Sequence, residues 1–363
     1  MSDQDSSKEI RRHEADRIEE QVDSFIEKFK DEVLQKHFPH GAIGVSGYKT
    51  NAGMMPHVVD VSMHSQQYVY KNTDFYYHAQ GRKFLHYTKF SNLVEILKTK
   101  TIRLYDFNNF NDPSEYYFSQ RLRSEMTEDI TGDDKGDLFA FSFNEGDKED
   151  FTMWRLYGDD GLGAAFEFEI LGEEKQQDAW PCHYLSKVKY NDSDGKLIED
   201  FIDDCVEFSR RNNAPKISSI KSFILPLLGS LKREIYKGEN EVRLLSVKND
   251  FFFNSLEGSP QYNYGLSRSG ALVKYSCVPI SSQKEYISFI NATSTPHDKR
   301  RLGYLPNIQL TRIILGYQID HDDFERKLSI LRTLLKYYNY EYPFTIPIVP
   351  SEFVEFFNKN NSK

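Results

Sequence analysis

Cysteine is scarce in this chain, with three residues, Cys182, Cys205 and Cys277, among 363. They are too few and too far apart for a zinc ribbon or a disulfide framework, and an odd count suits a reducing compartment. Long apolar runs are missing too, since no window approaches the roughly 18 consecutive apolar residues that a membrane-spanning helix needs. The N-terminal MSDQDSSKEIRRHEADRIEE has no apolar core of the kind a signal peptide carries. The expectation is a cytoplasmic protein with no membrane partner. There is no Walker loop, no GxGxxG after a strand, no HExxH, no GxSxG and no kinase signature, which removes several large enzyme classes. The ten histidines show no metal-ligand spacing, His37 and His40 merely straddling a proline, so no metal is expected. What the chain has in plenty is aromatic residues, 27 Phe and 23 Tyr, which predict an interior built around rings. A net charge of -9 argues against loose, salt-driven binding to duplex nucleic acid and leaves room for a local basic groove.

Residues 7 to 37 place Ile10, Ile18, Val22, Phe25, Ile26, Phe29, Val33 and Leu34 at helical spacing, with charged partners three or four residues apart. The stretch HFPHGAIGVSGYKTNAGMMPH breaks that pattern, and VVDVSMHSQQYVY alternates like a strand. Residues 1–80 are therefore read as an accessory helix and strand region, 81–350 as the main domain and 351–363 as a polar tail. In the main domain KFLHYT, TIRLY, DLFAFSFNE, GLGAAFEFEI, ENEVRLLSV, ALVKYSCVPI and TRIILGYQI read as strands. SNLVEILKT reads as a helix capped by Ser91, and residues 196–212 as another. A helical stretch from Lys216 to about Tyr236 should kink or split at Pro226. DDFERKLSILRTLLKYYN closes the series with Phe324, Leu328, Leu331 and Leu335 on one face. Strands and helices alternate without a βαβ rhythm, so the fold class is α+β with a mixed or antiparallel sheet.

Three stretches could carry chemistry. They are HYT at His86, Tyr87 and Thr88, MWRLYGDDGLG from Met153 to Gly163, and GENEVRLL from Gly238 to Leu245. In the last, Glu239, Glu241 and Arg243 alternate along one strand and share one face, with Val242 and Leu244 on the other. Two carboxylates side by side repel unless a cation lies between them. Arg243 could balance one, and a ligand's ribose hydroxyls could use the other. Each feature also has a plainer explanation. His86 could be a structural histidine at a strand end, the two glutamates a solvated face, Asn111 and Asp112 turn residues before Pro113, and Trp154 core. Arg268, Lys274, Lys299, Arg300 and Arg301 could be ordinary charged surface.

HYT followed by NLVEIL and TIRL, then FNDPSE, MWRLY and ENEVR, resembles a large bacterial family catalogued as a domain of unknown function and related to the ADP-ribosyltransferase superfamily. HYT with its NLVEIL helix is also similar to the opening of DarT-like DNA ADP-ribosyltransferases. The resemblance spans roughly residues 84 to 320, with FNDPSE and ENEVR its more specific pieces.

It implies a split β-sheet whose cleft holds NAD as substrate. Carried over, His86 would hydrogen-bond the adenosine ribose, Tyr87 or Tyr157 would stack on nicotinamide, and Glu241 would hold the 2′-hydroxyl of the nicotinamide ribose. Glu239 would orient or deprotonate the acceptor. Thr88, Asn111, Trp154 and Arg243 complete the implied cofactor-binding set. A fixed carboxylate suits the oxocarbenium-like cation that forms when the N-glycosidic bond breaks. The implied activity is ADP-ribosylation of a macromolecule, protein or RNA/DNA, by a toxin or anti-phage effector with an antitoxin or chaperone partner. The alternatives are an NAD glycohydrolase, and a non-catalytic sensor that binds a nucleotide or a protein.

Overall fold

The computed structural model describes residues 3–41, 43–49, 58–63, 67–107, 138–178, 180, 182–190, 195–212, 216–217, 220–247, 263–266, 270, 272–280, 306–340 and 345–354. The FNDPSE stretch, with Asn111, and the basic residues Arg268, Lys299, Arg300 and Arg301 lie outside them.

Helix α1, Asp3–Phe29, runs on through a π-helical turn, Lys30–Leu34, to His37. Its apolar stripe becomes a buried face of Ile18, Val22, Phe25, Ile26, Phe29, Val33 and Leu34, as the spacing predicts. Two strands follow, β1 (Ile43–Lys49), in a stretch whose glycines and prolines suggest only a break, and β2 (Val58–Met63), where the alternation of VVDVSM predicts a strand. β3 (Lys83–Thr88) leads into α2 (Phe90–Thr99) and β4 (Thr101–Asp106). Ser91 is not the cap of α2. The helix starts one residue before it, and Lys89 takes the N-cap position without a side-chain bond. β5 (Leu138–Glu145), α3 (Phe151–Leu156), β6 (Ala164–Leu171), α4 (Glu174–Asp178) and β7 (His183–Lys187) come next. α3 is started by Asp150, whose carboxylate accepts the Met153 N–H at 3.0 Å.

α5 (Lys196–Arg211) precedes a two-residue strand, β8 (Lys216–Ile217), and α6 (Ile220–Leu228). The expected helix from 216 to 236 is therefore much shorter. Pro226 sits in its last turn, and the chain leaves helical geometry two residues later. β9 (Glu241–Val247), β10 (Asn263–Leu266), β11 (Leu272–Pro279), β12 (Asn307–Leu315), α7 (His321–Tyr337) and β13 (Ile348–Pro350) complete the elements.

The fold is α+β. Among the described residues ten strands form one sheet, mostly antiparallel, with β12 and β13 parallel, and β1, β2 and β8 form a second, small one. In the large sheet β5 pairs with β9 from Leu138 to Asn144 along one edge. Its other edge is shared. β4 takes Phe139 and Ala140, and β3 takes Asn144 and Glu145. Between them the sheet divides into two wings, β4–β11–β10 and β3–β6–β12–β13.

Strand alternation separates the two faces. Phe139, Phe141 and Phe143 join Phe84, Phe166 and Phe168 in an aromatic core covered by Leu93 and Leu97 of α2 and Leu331 and Leu335 of α7. Leu138, Ala140, Leu245 and Val247 face the opposite way, into a core closed by α1, α5 and α6. There Phe25 and Phe29 meet Phe208, with ring centroids 5.4 and 5.3 Å apart, and Phe38 packs between Phe201 and Phe223. The N-terminal helix thus shares its core with the central strands. On the same face, α3 packs Met153 and Trp154 over Leu85, Tyr87 and Ala165.

Candidate functional site

Glu239 is not part of a strand. It ends a 3-10 turn, Glu234–Glu239, and Asn240 then adopts a left-handed conformation with φ 43° before β9 begins at Glu241. The two carboxylates meet through Lys232. Its ammonium donates to Glu239 Oε2 at 2.7 Å and to Glu241 Oε2 at 3.1 Å. Arg243 shares the Glu241 face of β9 and donates from Nε to Glu241 Oε1 at 2.7 Å and from Nη2 to Oε2 at 3.1 Å. Its Nη1 reaches the Gly229 carbonyl just beyond α6 at 2.9 Å. Tyr157, directly after α3, donates its hydroxyl to Glu239 Oε1 at 3.1 Å. The backbone is held as well. The Glu241 N–H donates to Tyr190 Oη at 2.9 Å, and the Asn144 side chain donates to the Glu239 carbonyl.

All four charged residues are buried, and their formal charges cancel. Burial alone would raise the Glu241 carboxyl, but the charges of Arg243 and Lys232 outweigh it and hold the group at about 2. Burial and then the charge of Glu239 push the Tyr157 phenol upward. Both residues keep one form at neutral pH, Glu241 as carboxylate and Tyr157 as hydrogen-bond donor. A buried ion cluster of this kind tolerates no missing partner, because a lone buried charge is far costlier than the intact set.

His86 stands on the other face of the sheet. It alternates with Leu85 and Tyr87, pairs with Phe166 of β6, and stacks near Phe141 and Phe166 with centroids 4.4 and 5.2 Å away. Its Nδ1 lies 2.8 Å from the Ser142 carbonyl, in the gap on β5 that neither β3 nor β4 pairs. A carbonyl only accepts, so Nδ1 carries the proton and Nε2 is left as an acceptor. Burial lowers the imidazole to about 4, and the ring is neutral at pH 7.

The remaining sequence-predicted residues divide. Tyr87 accepts the Asp150 N–H at 2.7 Å and packs edge-on against Trp154 at 5.1 Å, which ties the start of α3 to β3. Trp154 is fully buried with its indole N–H on Glu149 at 2.8 Å, so it is a core residue. Thr88 accepts from Asn92 at 3.2 Å. Asn111 is outside the described residues. The structure therefore gathers Tyr157, Glu239, Glu241 and Arg243 into one cluster, pairs Tyr87 with Trp154, and sets His86 across β5. Lys232, Asn144 and Tyr190 were not anticipated. Lys232 carried a weak signal, a lysine shortly before two glutamates that needed a cation.

The glycines of the MWRLYGDDGLG stretch serve close packing. Gly161 has φ +82°, and a Cβ there would lie 2.6 Å from the Tyr317 ring. Among the described residues no group of His, Cys, Asp and Glu could hold a metal ion, and no helix is long and apolar enough to cross a membrane.

The model of a family described as Protein of unknown function (DUF2971) matches residues 153–244. No curated protein and no solved structure matches the chain. The matched stretch runs from α3 into β9, and over it, from Trp154 and Tyr157 to Lys232, Glu239, Glu241 and Arg243, the chain is similar to that family.

Proposed function

We propose that the protein is an NAD-dependent ADP-ribosyltransferase that modifies a macromolecule, protein or nucleic acid, as a bacterial toxin or anti-phage effector. The observation that carries the reading is the division of the sheet at β5, where a neutral histidine from HYT sits in the gap and offers Nε2 as an acceptor. A ribose hydroxyl is a fitting donor to that nitrogen. In the reaction the bond from ribose C1′ to nicotinamide breaks, nicotinamide leaves with the bonding pair, and an acceptor nucleophile bonds C1′ and loses a proton. A preorganised carboxylate stabilises the positive charge that builds on the ribose. Glu241 has both oxygens engaged by Arg243 and Lys232, which suits a positioning role. Glu239, whose Oε1 meets only the Tyr157 hydroxyl among the described residues, is the less engaged carboxylate, in a cluster across the sheet from His86.

The same closed ion cluster favours a second reading, a non-catalytic module that binds a nucleotide, because neither Glu241 oxygen is spare. One experiment separates them. The purified chain is incubated with NAD labelled on its adenine side and with lysate, treated or not with nuclease and protease, beside Glu239→Gln and Glu241→Gln. Label entering acid-insoluble material with the wild type alone supports transfer, and the sensitive treatment identifies the acceptor. Free ADP-ribose would mean a glycohydrolase. NAD that binds but stays intact under every condition would leave the binding module.

A further inference from the structure

The wing formed by β4, β11 and β10 has two unlike faces. Ile102, Leu104 and Val278 point into the aromatic core and hold the wing against it. Strand alternation sends Arg103 and Tyr105 of β4 and Tyr275 and Cys277 of β11 the other way. Pairing sets them in rows, with Tyr105 beside Tyr275 and Tyr275 beside Asn263 of β10, and Arg103 beside Cys277. Tyr105 also pairs with Ala140 of β5, so this face continues the one that α1, α5 and α6 close over the central strands. On the wing it is open to solvent. Tyr105 is 36% exposed, Asn263 is exposed, and Arg103, Tyr275 and Cys277 are half-buried.

The two phenol rings and the guanidinium stand side by side. Tyr105 and Tyr275 have centroids 5.9 Å apart at 54°, and Arg103 Cζ lies 4.8 Å from the Tyr275 centroid. Arginine keeps its charge in such a contact, and its plane packs on a ring as a second ring does. Arg103 is the one charged side chain that β4, β11 and β10 present on this face, and among the described residues no carboxylate pairs with it.

This surface suits one kind of partner. The apolar anchor of a protein interface finds no aliphatic surface here, because Val273, the one large aliphatic side chain on the face, is buried. Duplex nucleic acid hides its bases and is held through many phosphates, which one arginine on a chain of net charge -9 does not supply. A single strand bares its bases, which stack on tyrosine rings and guanidinium planes, and it offers a phosphate to the cation. Strands lie about 4.8 Å apart, so the three-stranded wing is roughly 10 Å across and has room for about two bases.

We propose that the outer face of β4, β11 and β10 binds single-stranded nucleic acid, its bases on Tyr105 and Tyr275 and a phosphate on Arg103. Binding here does not depend on the NAD reading, and the test contains no NAD. Fluorescence anisotropy of the full chain compares labelled oligothymidylate and oligouridylate of about 15 nucleotides with a duplex of the same length. At least one single strand binds, about tenfold or more tighter than the duplex, and preference for either names DNA or RNA. Its affinity falls with salt at a shallow logarithmic slope of about -0.7, the mark of one neutralised phosphate. Tyr105→Leu and Tyr275→Leu keep bulk and remove the π-face, and each weakens binding about tenfold, whereas Tyr275→Phe binds as the wild type does. Arg103→Gln weakens binding and flattens the salt slope. Ultraviolet crosslinking of the wild type, which no folding defect can imitate, places the adduct on β4 or β11. Absence of binding by both single strands, equal binding of the duplex, crosslinks confined to other segments, or leucine variants that bind as the wild type does overturn the proposal.

Discussion

The imidazole of His86 donates to the backbone carbonyl of Ser142 at 2.8 Å, at the point where the two wings of the sheet part company on β5. A side chain there does what a neighbouring strand does elsewhere. His86→Ala leaves the carbonyl without its partner, and stability in denaturant falls by about 1–3 kcal/mol. Nitrogen-detected NMR of the wild type shows Nδ1 protonated, Nε2 bare, and the ring neutral down to about pH 4.

Lys232 joins Glu239 to Glu241, and Lys232→Met leaves the buried Glu239 without its cation while Glu241 keeps Arg243. The expected loss is about 3–5 kcal/mol, read as a lower urea midpoint at unchanged slope. Adding Glu239→Gln to that variant recovers part of it. A double variant no more stable than the single one would show that Glu239 does not depend on Lys232.

Acid acts in two windows. His183 is buried with neither ring nitrogen bonded, and burial lowers it from 6.5 to about 4. The unfolded chain binds that proton first, so stability falls as pH drops from about 6.5 to 4, by about 3 kcal/mol. Glu241, lowered from 4.5 to about 2, adds a second loss as pH falls through that lower range. His86, lowered by burial to about 4 as well, adds a like loss over the same range, so His183→Phe removes about half of the upper window in pH-resolved unfolding and leaves the lower one. An unchanged upper slope excludes His183 as its source.

Gly161→Ala combines a left-handed backbone with a Cβ pressed on the Tyr317 ring. The conformational cost of about 1–2 kcal/mol and an overpacking cost of about 1–3 kcal/mol lower the thermal midpoint together. Gly81→Ala has the same backbone sign but open space around it, and loses only the first term.

The sequence made the strands legible wherever apolar and polar residues alternate under aromatic enrichment, as in KFLHYT and DLFAFSFNE, because burial on one face writes that period into the chain. It made α1 and α7 legible for the same reason at helical period. Glu239 was misplaced because its spacing from Glu241 mimics a strand, while a left-handed Asn240 breaks it. Lys232 was hidden because LKREIYKGE reads as a continuing helix, yet the chain leaves α6 at Leu228. The opposition of His86 and Glu241 across the sheet follows from strand pairing, which no local pattern records. A bulge at Thr311 likewise exists only in the match between β6 and β12.

The sharing of β5 between two wings also bears on how the chain assembles. β5 finds its long partner, β9, only about one hundred residues later in the chain, and contacts of such separation form slowly. A ribosome that has released β3, β4 and β5 has made both wings' anchor strands without the strand that holds them flat. The aromatic row Phe139, Phe141 and Phe143 is then open on that edge until Val247 has emerged, and its cover by Leu331 and Leu335 of α7 comes later still.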